Sequence, residues 1–315
     1  MIKIELSKEK RKEIEDLHWK WFEKSYKKNY ANIKKSLGLV SDDEIKEIII
    51  GKKTVLEKYR LKIGKKKDKA LERKFGYDTF SKGSAEWGAY QLCEKLGVDV
   101  CPYCNRQYIF TVTGRKRKIA RPEMDHFYNK SDYPYLSCSL YNLIPSCHIC
   151  NHVKSDNIDE IIYPYEEAFG NDAEFCIRYK QNIDLKNLLD VKNIEIFFKN
   201  MFAQRKSCNF KRCKRIMNSI AVFHLEDIYN YHQLELNDLL KRYKNYSKQK
   251  VSDILKMIVK ASGNSSENDI EMILRLYSKQ IKEMILGIIP LGAGYRQYPL
   301  RKFKEDIIAL LDNAN

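Results

Sequence analysis

Long apolar runs are missing from this sequence of 315 residues: no aliphatic stretch, Ile48-Ile49-Ile50 among them, approaches the roughly 20 residues that a helix needs to cross a bilayer. No membrane span is therefore expected. The opening Met1-Ile2-Lys3-Ile4-Glu5-Leu6-Ser7 runs into a charged stretch without the apolar region of a secretory signal, so the chain is expected in the cytoplasm. Glycine and proline are few, and neither a repeat nor a low-complexity linker is present. Gly292-Ala293-Gly294 is followed by no Gly-Lys-Ser/Thr, which excludes a phosphate loop and leaves a turn. Acidic residues are also short. There are 42 of them against 58 Lys and Arg, a net charge of +16. That excess favours a polyanionic partner, with nucleic acid ahead of an anionic membrane surface.

What is present suffices for a folded protein. Apolar residues make up 43% and charged residues 32%, which excludes wholesale disorder and suggests a helix-rich α+β chain with a thin core. Residues 1–92 read as an N-terminal helical region with basic faces. Within it, Ser41-Asp42-Asp43-Glu44 has the spacing of a capping box. The run Gly64-Lys65-Lys66-Lys67-Asp68-Lys69 reads as a solvated face, with a phosphate-contacting patch as the alternative. Residues 93–175 lose helical periodicity and gather cysteine, proline and histidine, and Tyr108–Lys118 reads as a hairpin turning at Gly114. From 176 to 315 the helical pattern returns. Leu225 to Tyr246 reads as one long amphipathic helix, Ser266-Glu267-Asn268-Asp269 caps another, and Arg301 to Leu311 forms a last one.

Nine cysteines in a reducing compartment are expected as thiols or metal ligands rather than as a disulfide framework. Cys101-Pro102-Tyr103-Cys104 and Cys147-His148-Ile149-Cys150 are two C-x-x-C knuckles with 42 residues between them. Together they can close a tetrahedral shell of four thiolates around a structural Zn²⁺. Cys93, Cys138 and Cys176 read as small packed residues. Cys208 and Cys213 lack a partner pair for a second metal site.

Between and after the knuckles run Arg121-Pro122-Glu123-Met124-Asp125-His126-Phe127, Tyr141-Asn142-Leu143 and Asn151-His152-Val153-Lys154. With the cysteines, these residues resemble the HNH nucleases of the His-Me finger, or ββα-metal, fold. The resemblance covers residues 101–156 and implies a zinc-stabilised ββα-metal module inserted in a mainly helical α+β protein. It implies a metal-dependent endonuclease acting on DNA and leaving 5′-phosphate and 3′-hydroxyl ends. His126, with a reference pKa near neutrality, is the candidate base. By the same resemblance Asp125 and Asn151 hold one catalytic Mg²⁺ or Mn²⁺ through hard oxygens, Asn142 positions the loop and His126, and the end of the Asp125-His126 strand is locally distorted. His152 is an alternative ligand to Asn151, and His148 a candidate neighbour of the zinc shell. Asn129 stands where many relatives have proline, which puts loop rigidity in question.

Arg106, Arg115, Lys116, Arg117, Lys118, Arg121, Lys130 and Lys154 are candidate phosphate contacts. Six to eight such contacts predict a log–log salt slope of roughly −5 to −7. Tyr103, Tyr108, Phe127 and Tyr128 can stack on bases or pack over the module. The stretches 101–109, 125–127 and 141–147 also look like HNH effectors of bacterial anti-phage defence, of the Septu-type and retron-linked systems. That likeness implies a partner ATPase or other defence subunit. The flanking helices suit docking or homo-oligomerisation. The alternatives are an RNA-cleaving enzyme with the same site, and a non-catalytic zinc-dependent nucleic-acid-binding or scaffold protein.

Overall fold

In the computed structural model the N-terminal residues are tied into the middle of the chain. Met1, Ile2 and Ile4 are buried, the Ile2 amide donates to Pro102 O at 2.9 Å, and the Ile4 amide donates to Pro164 O at 2.8 Å. The structure describes residues 1–82, 86–114, 118–156, 160–180, 191–200, 209–245, 249, 253, 257, 280, 282–288 and 298–314. Among these the architecture is α+β and mainly helical, with three two-stranded antiparallel sheets. No helix among the described residues is long and apolar enough to cross a membrane. The chain divides into two units, one of Met1–Phe169 with Lys214–Phe223, the other of Gly170–Cys213 with His224–Asn315.

The first unit begins with α1 (Lys8–Tyr26). Ser7 caps it, its hydroxyl accepting from the Lys10 amide at 3.1 Å. Ile14, His18, Trp21 and Phe22 are its buried residues, an i, i+4, i+7, i+8 stripe. After α2 (Tyr30–Leu37), the expected capping box opens α3 (Asp42–Ile50): the Glu44 amide donates to Ser41 Oγ, and the Ser41 amide to Glu44 Oε2. Helices α4 (Lys53–Ile63), α5 (Lys69–Phe75), α6 (Tyr77–Lys82) and α7 (Ala89–Leu96) follow. The lysine run between α4 and α5 folds onto Asp132, which accepts from Lys65 Nζ at 2.6 Å on its side chain and from the Lys66 amide at 2.9 Å on its backbone.

The boundary expected at 92/93 does not separate two units. His18 on α1 donates through Nε2 to Cys138 O at 2.8 Å and accepts at Nδ1 from Trp87 Nε1 at 3.1 Å. A module of some 60 residues buries too small a share of its surface to stand firmly alone, and the N-terminal helices supply the missing core. Past α7, β1 (Val112–Thr113) pairs with β2 (Lys118–Ala120), a shorter hairpin than the one expected over 108–118. Then β3 (Glu123–His126) pairs with β4 (Leu143–Ser146), and α8 (His148–Lys154) follows at once. Helix α9 (Phe210–Val222) returns most of its length to this unit.

The second unit corrects the expectation of helix throughout 176–315. It contains β5 (Ala173–Tyr179), paired residue for residue with β6 (Ile194–Asn200) from Ala173↔Asn200 to Tyr179↔Ile194. The period-two pattern Phe175, Ile177 and Ile194, Ile196, Phe198 turns to one core with Tyr229, Leu236, Leu239, Phe303 and Ile307. The single long helix expected from 225 is two, α10 (Leu225–Tyr229) and α11 (Gln233–Asn245). Asn230 sits at the break and uses both ends of its amide on the β6 edge, donating to Ile196 O at 2.7 Å and accepting from the Ile196 amide at 2.8 Å. A satisfied strand edge takes the place of three more residues of helix. Helix α12 (Arg301–Ala314) forms where the last helix was expected. The cap at Ser266–Asp269 and the turn at Gly292–Gly294 lie outside the described residues.

Candidate metal centre and adjoining cleft

Antiparallel pairing of β3 and β4 brings the end of β4 beside the start of β3, and Cys147 follows directly as the cap of α8. The second knuckle thereby meets the first. The sulfurs of Cys101, Cys104, Cys147 and Cys150 lie within 4.8 Å of one another, and all four residues are buried. Tetrahedral zinc with Zn–S bonds of about 2.3 Å holds its sulfurs about 3.8 Å apart, so this donor set fits a metal ion such as zinc. Backbone geometry prepares the knuckles. Asn105 adopts the left-handed conformation at φ 52°, which asparagine tolerates, and its amide donates to Cys101 O at 2.8 Å. The Cys150 amide donates to Cys147 Sγ at 3.4 Å. The four thiols share hydrogen bonds that hold Cys104 and Cys147 below their ordinary values, while burial pushes Cys101, and bonds from its neighbours push Cys150, well above theirs. Cys93, Cys138 and Cys176 are buried free thiols. Cys213 is disulfide-bonded, against the expectation of an unbridged set, and Cys208 lies outside the described residues.

Beside the cysteines a cleft of about 430 Å³ is lined by Asp125, His126, Asn129, Lys130, Asn151 and His152, among others. Asp125 is buried, its Oδ2 accepting from Tyr103 Oη at 2.6 Å and its Oδ1 from Lys154 Nζ at 3.1 Å. His126 has its Nε2 at 2.9 Å from Ser137 O. A carbonyl can only accept, so Nε2 carries the proton and Nδ1 is the nitrogen with the free lone pair. The Tyr77 ring packs edge-on against the imidazole, centroids 4.4 Å apart. Burial pulls the His126 pKa down to about 3, outweighing the Ser137 bond that pushes it up, so the ring is neutral at pH 7. The distortion expected at the strand end is absent from the pairing: β3 keeps one-to-one register through His126↔Leu143. Both residues still line the cleft.

Asn142 is fully buried and makes four contacts with the loop after β3. Its Nδ2 donates to Tyr128 O and Leu136 O, its Oδ1 accepts from the Tyr128 amide, and its own carbonyl accepts from the Phe127 amide. Asn129, standing where a proline was noted as missing, ties the same loop through Oδ1, which accepts from the Asp132 amide at 2.8 Å.

Glu123 was not foreseen as a site residue. Its carboxylate accepts from His148 Nδ1 and from Asn151 Nδ2, both at 2.7 Å. Burial raises its pKa, but the bonds from Asn151 and His148 prevail and hold it below the usual range. Because a carboxylate only accepts, Glu123 fixes the Asn151 amide with Oδ1 as its remaining donor atom for a cation. The signal was available: Glu123 shares a strand face with Asp125, and His148 and Asn151 are i, i+3 on α8. His148 is exposed and serves Glu123 rather than the cysteine shell. Asp125 and Asn151 line the same cleft, and both side chains carry oxygen of the hard kind that divalent cations take.

The expected phosphate contacts fare differently. Lys154 is corrected: it is 2% exposed and turned inward, donating to Asp125 Oδ1 and to His126 O at 2.7 Å, because an ammonium at the end of α8 is the cation nearest the buried carboxylate. Arg121 is largely engaged, donating to Pro122 O and to Ser81 O and Oγ. Arg106 is half-buried. Lys130 lines the cleft while paired with Glu72 at 2.8 Å. Lys118 lies over the Tyr90 ring, and Arg115, Lys116 and Arg117 lie outside the described residues. Of the aromatic candidates, Tyr103 is buried against Phe223, Phe127 packs on Tyr163, and Tyr128 bonds Glu57. Tyr108 is exposed.

No family model, no curated protein and no solved structure matches this chain.

Proposed function

We propose that the chain is a metal-dependent endonuclease of the HNH type that hydrolyses DNA phosphodiester bonds. The observation that carries the reading is that His126, Asp125 and Asn151 line one cleft beside a four-thiol cluster. Strand, strand and helix in that order, with these residues on them, match what the motif resemblance implies.

The chemistry assigned to each residue follows from its surroundings. His126 Nδ1 takes a proton from water as the water oxygen attacks phosphorus. The bond from phosphorus to the 3′-oxygen breaks, and that oxygen leaves and is protonated from solvent. A free imidazole is in the form this step needs at pH 7, and the charge of an arriving phosphate raises its basicity. Asp125 and Asn151 would hold a divalent cation, which would supply positive charge against the phosphate. Lys154 and Tyr103 fix the Asp125 carboxylate, while Asn142 holds the Ser137-bearing loop that fixes the imidazole. Cys101, Cys104, Cys147 and Cys150 would hold a zinc ion, which would supply a structural clamp between the start of α8 and the loop before β1. The wider resemblance supports a defence effector held silent by a partner.

Purified protein is incubated with supercoiled plasmid, with and without Mg²⁺ or Mn²⁺, alone and with the products of neighbouring genes. The expected result is cation-dependent nicking that His126→Ala abolishes. Intact plasmid under every condition, or nicking that the alanine variant retains, overturns the assignment.

A further inference from the structure

Two aromatic side chains stand in water on the segment that leads to the cleft. Tyr108 is 48% and Phe110 51% exposed, their rings stacked with centroids 4.6 Å apart and planes at 20°. They are two residues apart on an extended segment, and Val112, two further on, is 42% exposed. Ile119 on the paired strand β2 is 53% exposed. These four form a run of large apolar groups on a protein that buries most others of their kind. The strands that carry the run are joined in sequence by Arg115-Lys116-Arg117, and Lys118 and Arg121 follow. An exposed aromatic pair followed in sequence by five cations within the seven residues 115–121 is complementary to a ligand with both flat apolar faces and a polyanionic backbone.

We infer that Tyr108 and Phe110 form a base-stacking platform for unpaired nucleotides, so that the substrate class is single-stranded or locally opened nucleic acid. A duplex keeps its base faces stacked on one another and offers this surface only phosphates, whereas an unpaired base can cover an exposed ring. Only Arg121 and Pro122 separate β2 from β3, so Ile119 and Asp125 are at most about 20 Å apart along the extended chain. The inference rests on the nuclease reading for its purpose, but not for its measurement.

Binding of the full-length, zinc-loaded protein is followed by fluorescence anisotropy with no Mg²⁺ or Mn²⁺ and no chelator, so that nothing is cut. The probes are a labelled 20-nucleotide oligothymidylate and a labelled 20-base-pair duplex. Tyr108→Ala with Phe110→Ala is expected to weaken oligothymidylate binding at least about fivefold and duplex binding less than twofold, since stacking is lost and charge is not. Phe110→Trp is expected to keep the affinity and to show emission quenched by saturating oligothymidylate, beyond that of the three native tryptophans. Equal losses on both probes, no loss on either, or a Phe110→Trp variant quenched no more than the native protein overturns the platform. So does a double variant that changes the sedimentation of the protein alone while oligothymidylate binding stays intact, which makes the face a protein interface. Failure of plasmid nicking leaves these binding outcomes as they are, and the two readings fail separately.

Discussion

Tyr103 donates to Asp125 Oδ2 at 2.6 Å, so the residue between the first two cysteines is bonded to the carboxylate in the middle of β3. The cluster and the cleft thus share a hydrogen bond as well as a backbone. Tyr103→Phe removes that bond and keeps the ring against Phe223. It is expected to retain one zinc per chain by elemental analysis and to lower nicking roughly tenfold, the loss of one buried bond to a charged group. Unchanged nicking rates would detach the cysteine loop from the chemistry.

Removing the metal should do more. A structural zinc contributes roughly 10 kcal/mol or more to the fold of the segment it clamps, so Cys147→Ser or a strong chelator is expected to melt the first unit. Thermal unfolding by circular dichroism, together with zinc content, checks this. A chelated protein that unfolds at its original temperature shows the cysteines to be dispensable.

How much of this was legible in the sequence depends on the distance over which each residue finds its partner. The capping box at Ser41 and Glu44 and the two knuckles are local patterns, complete within four residues, and both form. Lys154 was read as an outward cation because its partner, Asp125, lies 29 positions away, and nothing near it in the chain indicates burial. The β5–β6 pair was lost among helices because its alternation spans only seven residues on each side, and the helix break at Asn230 answers to Ile196, 34 positions earlier. Glu123 differs again: it matches no position of the motif, and its role shows only once β3 and α8 lie side by side.

Lys154 offers a direct check on its inward placement. Lys154→Met leaves the buried Asp125 carboxylate without its cation and is expected to cost about 3 kcal/mol in urea unfolding. The salt dependence of DNA binding should not change, because the ammonium faces no phosphate. A shallower salt slope would return this residue to the surface.

Glu123→Gln tests the amide it orients. A glutamine can face Asn151 with either end of its own amide, so the amide of Asn151 is free to reverse. Mn²⁺ affinity, measured by paramagnetic resonance on uncut protein, is expected to fall several-fold while zinc content and melting temperature hold. Equal Mn²⁺ binding in both proteins would remove Asn151 Oδ1 from the cation.

Acid should destabilise the first unit through two histidines. Burial lowers the pKa of His18 to about 4 and that of His126 to about 3. Below pH 6.5 the unfolded chain takes up protons that the folded one refuses, so stability present above 6.5 is lost as the pH falls toward those values. Each ring contributes about 2 kcal/mol of that loss between pH 7 and 5. Urea titrations at the two pH values measure it, and His18→Gln should remove about half of the difference.

Helix α8 is pinned at both extremities, by Cys147 and Cys150 at its start and by the bonds of Lys154 to Asp125 and His126 at its end. Seven residues span fewer than two turns, and each residue advances the helix by about 100°. A single codon added or removed between Cys150 and Lys154 would swing the lysine away from its acceptors while the sulfurs stayed put. Asn151 apart, this stretch can therefore drift in side-chain identity but not in length.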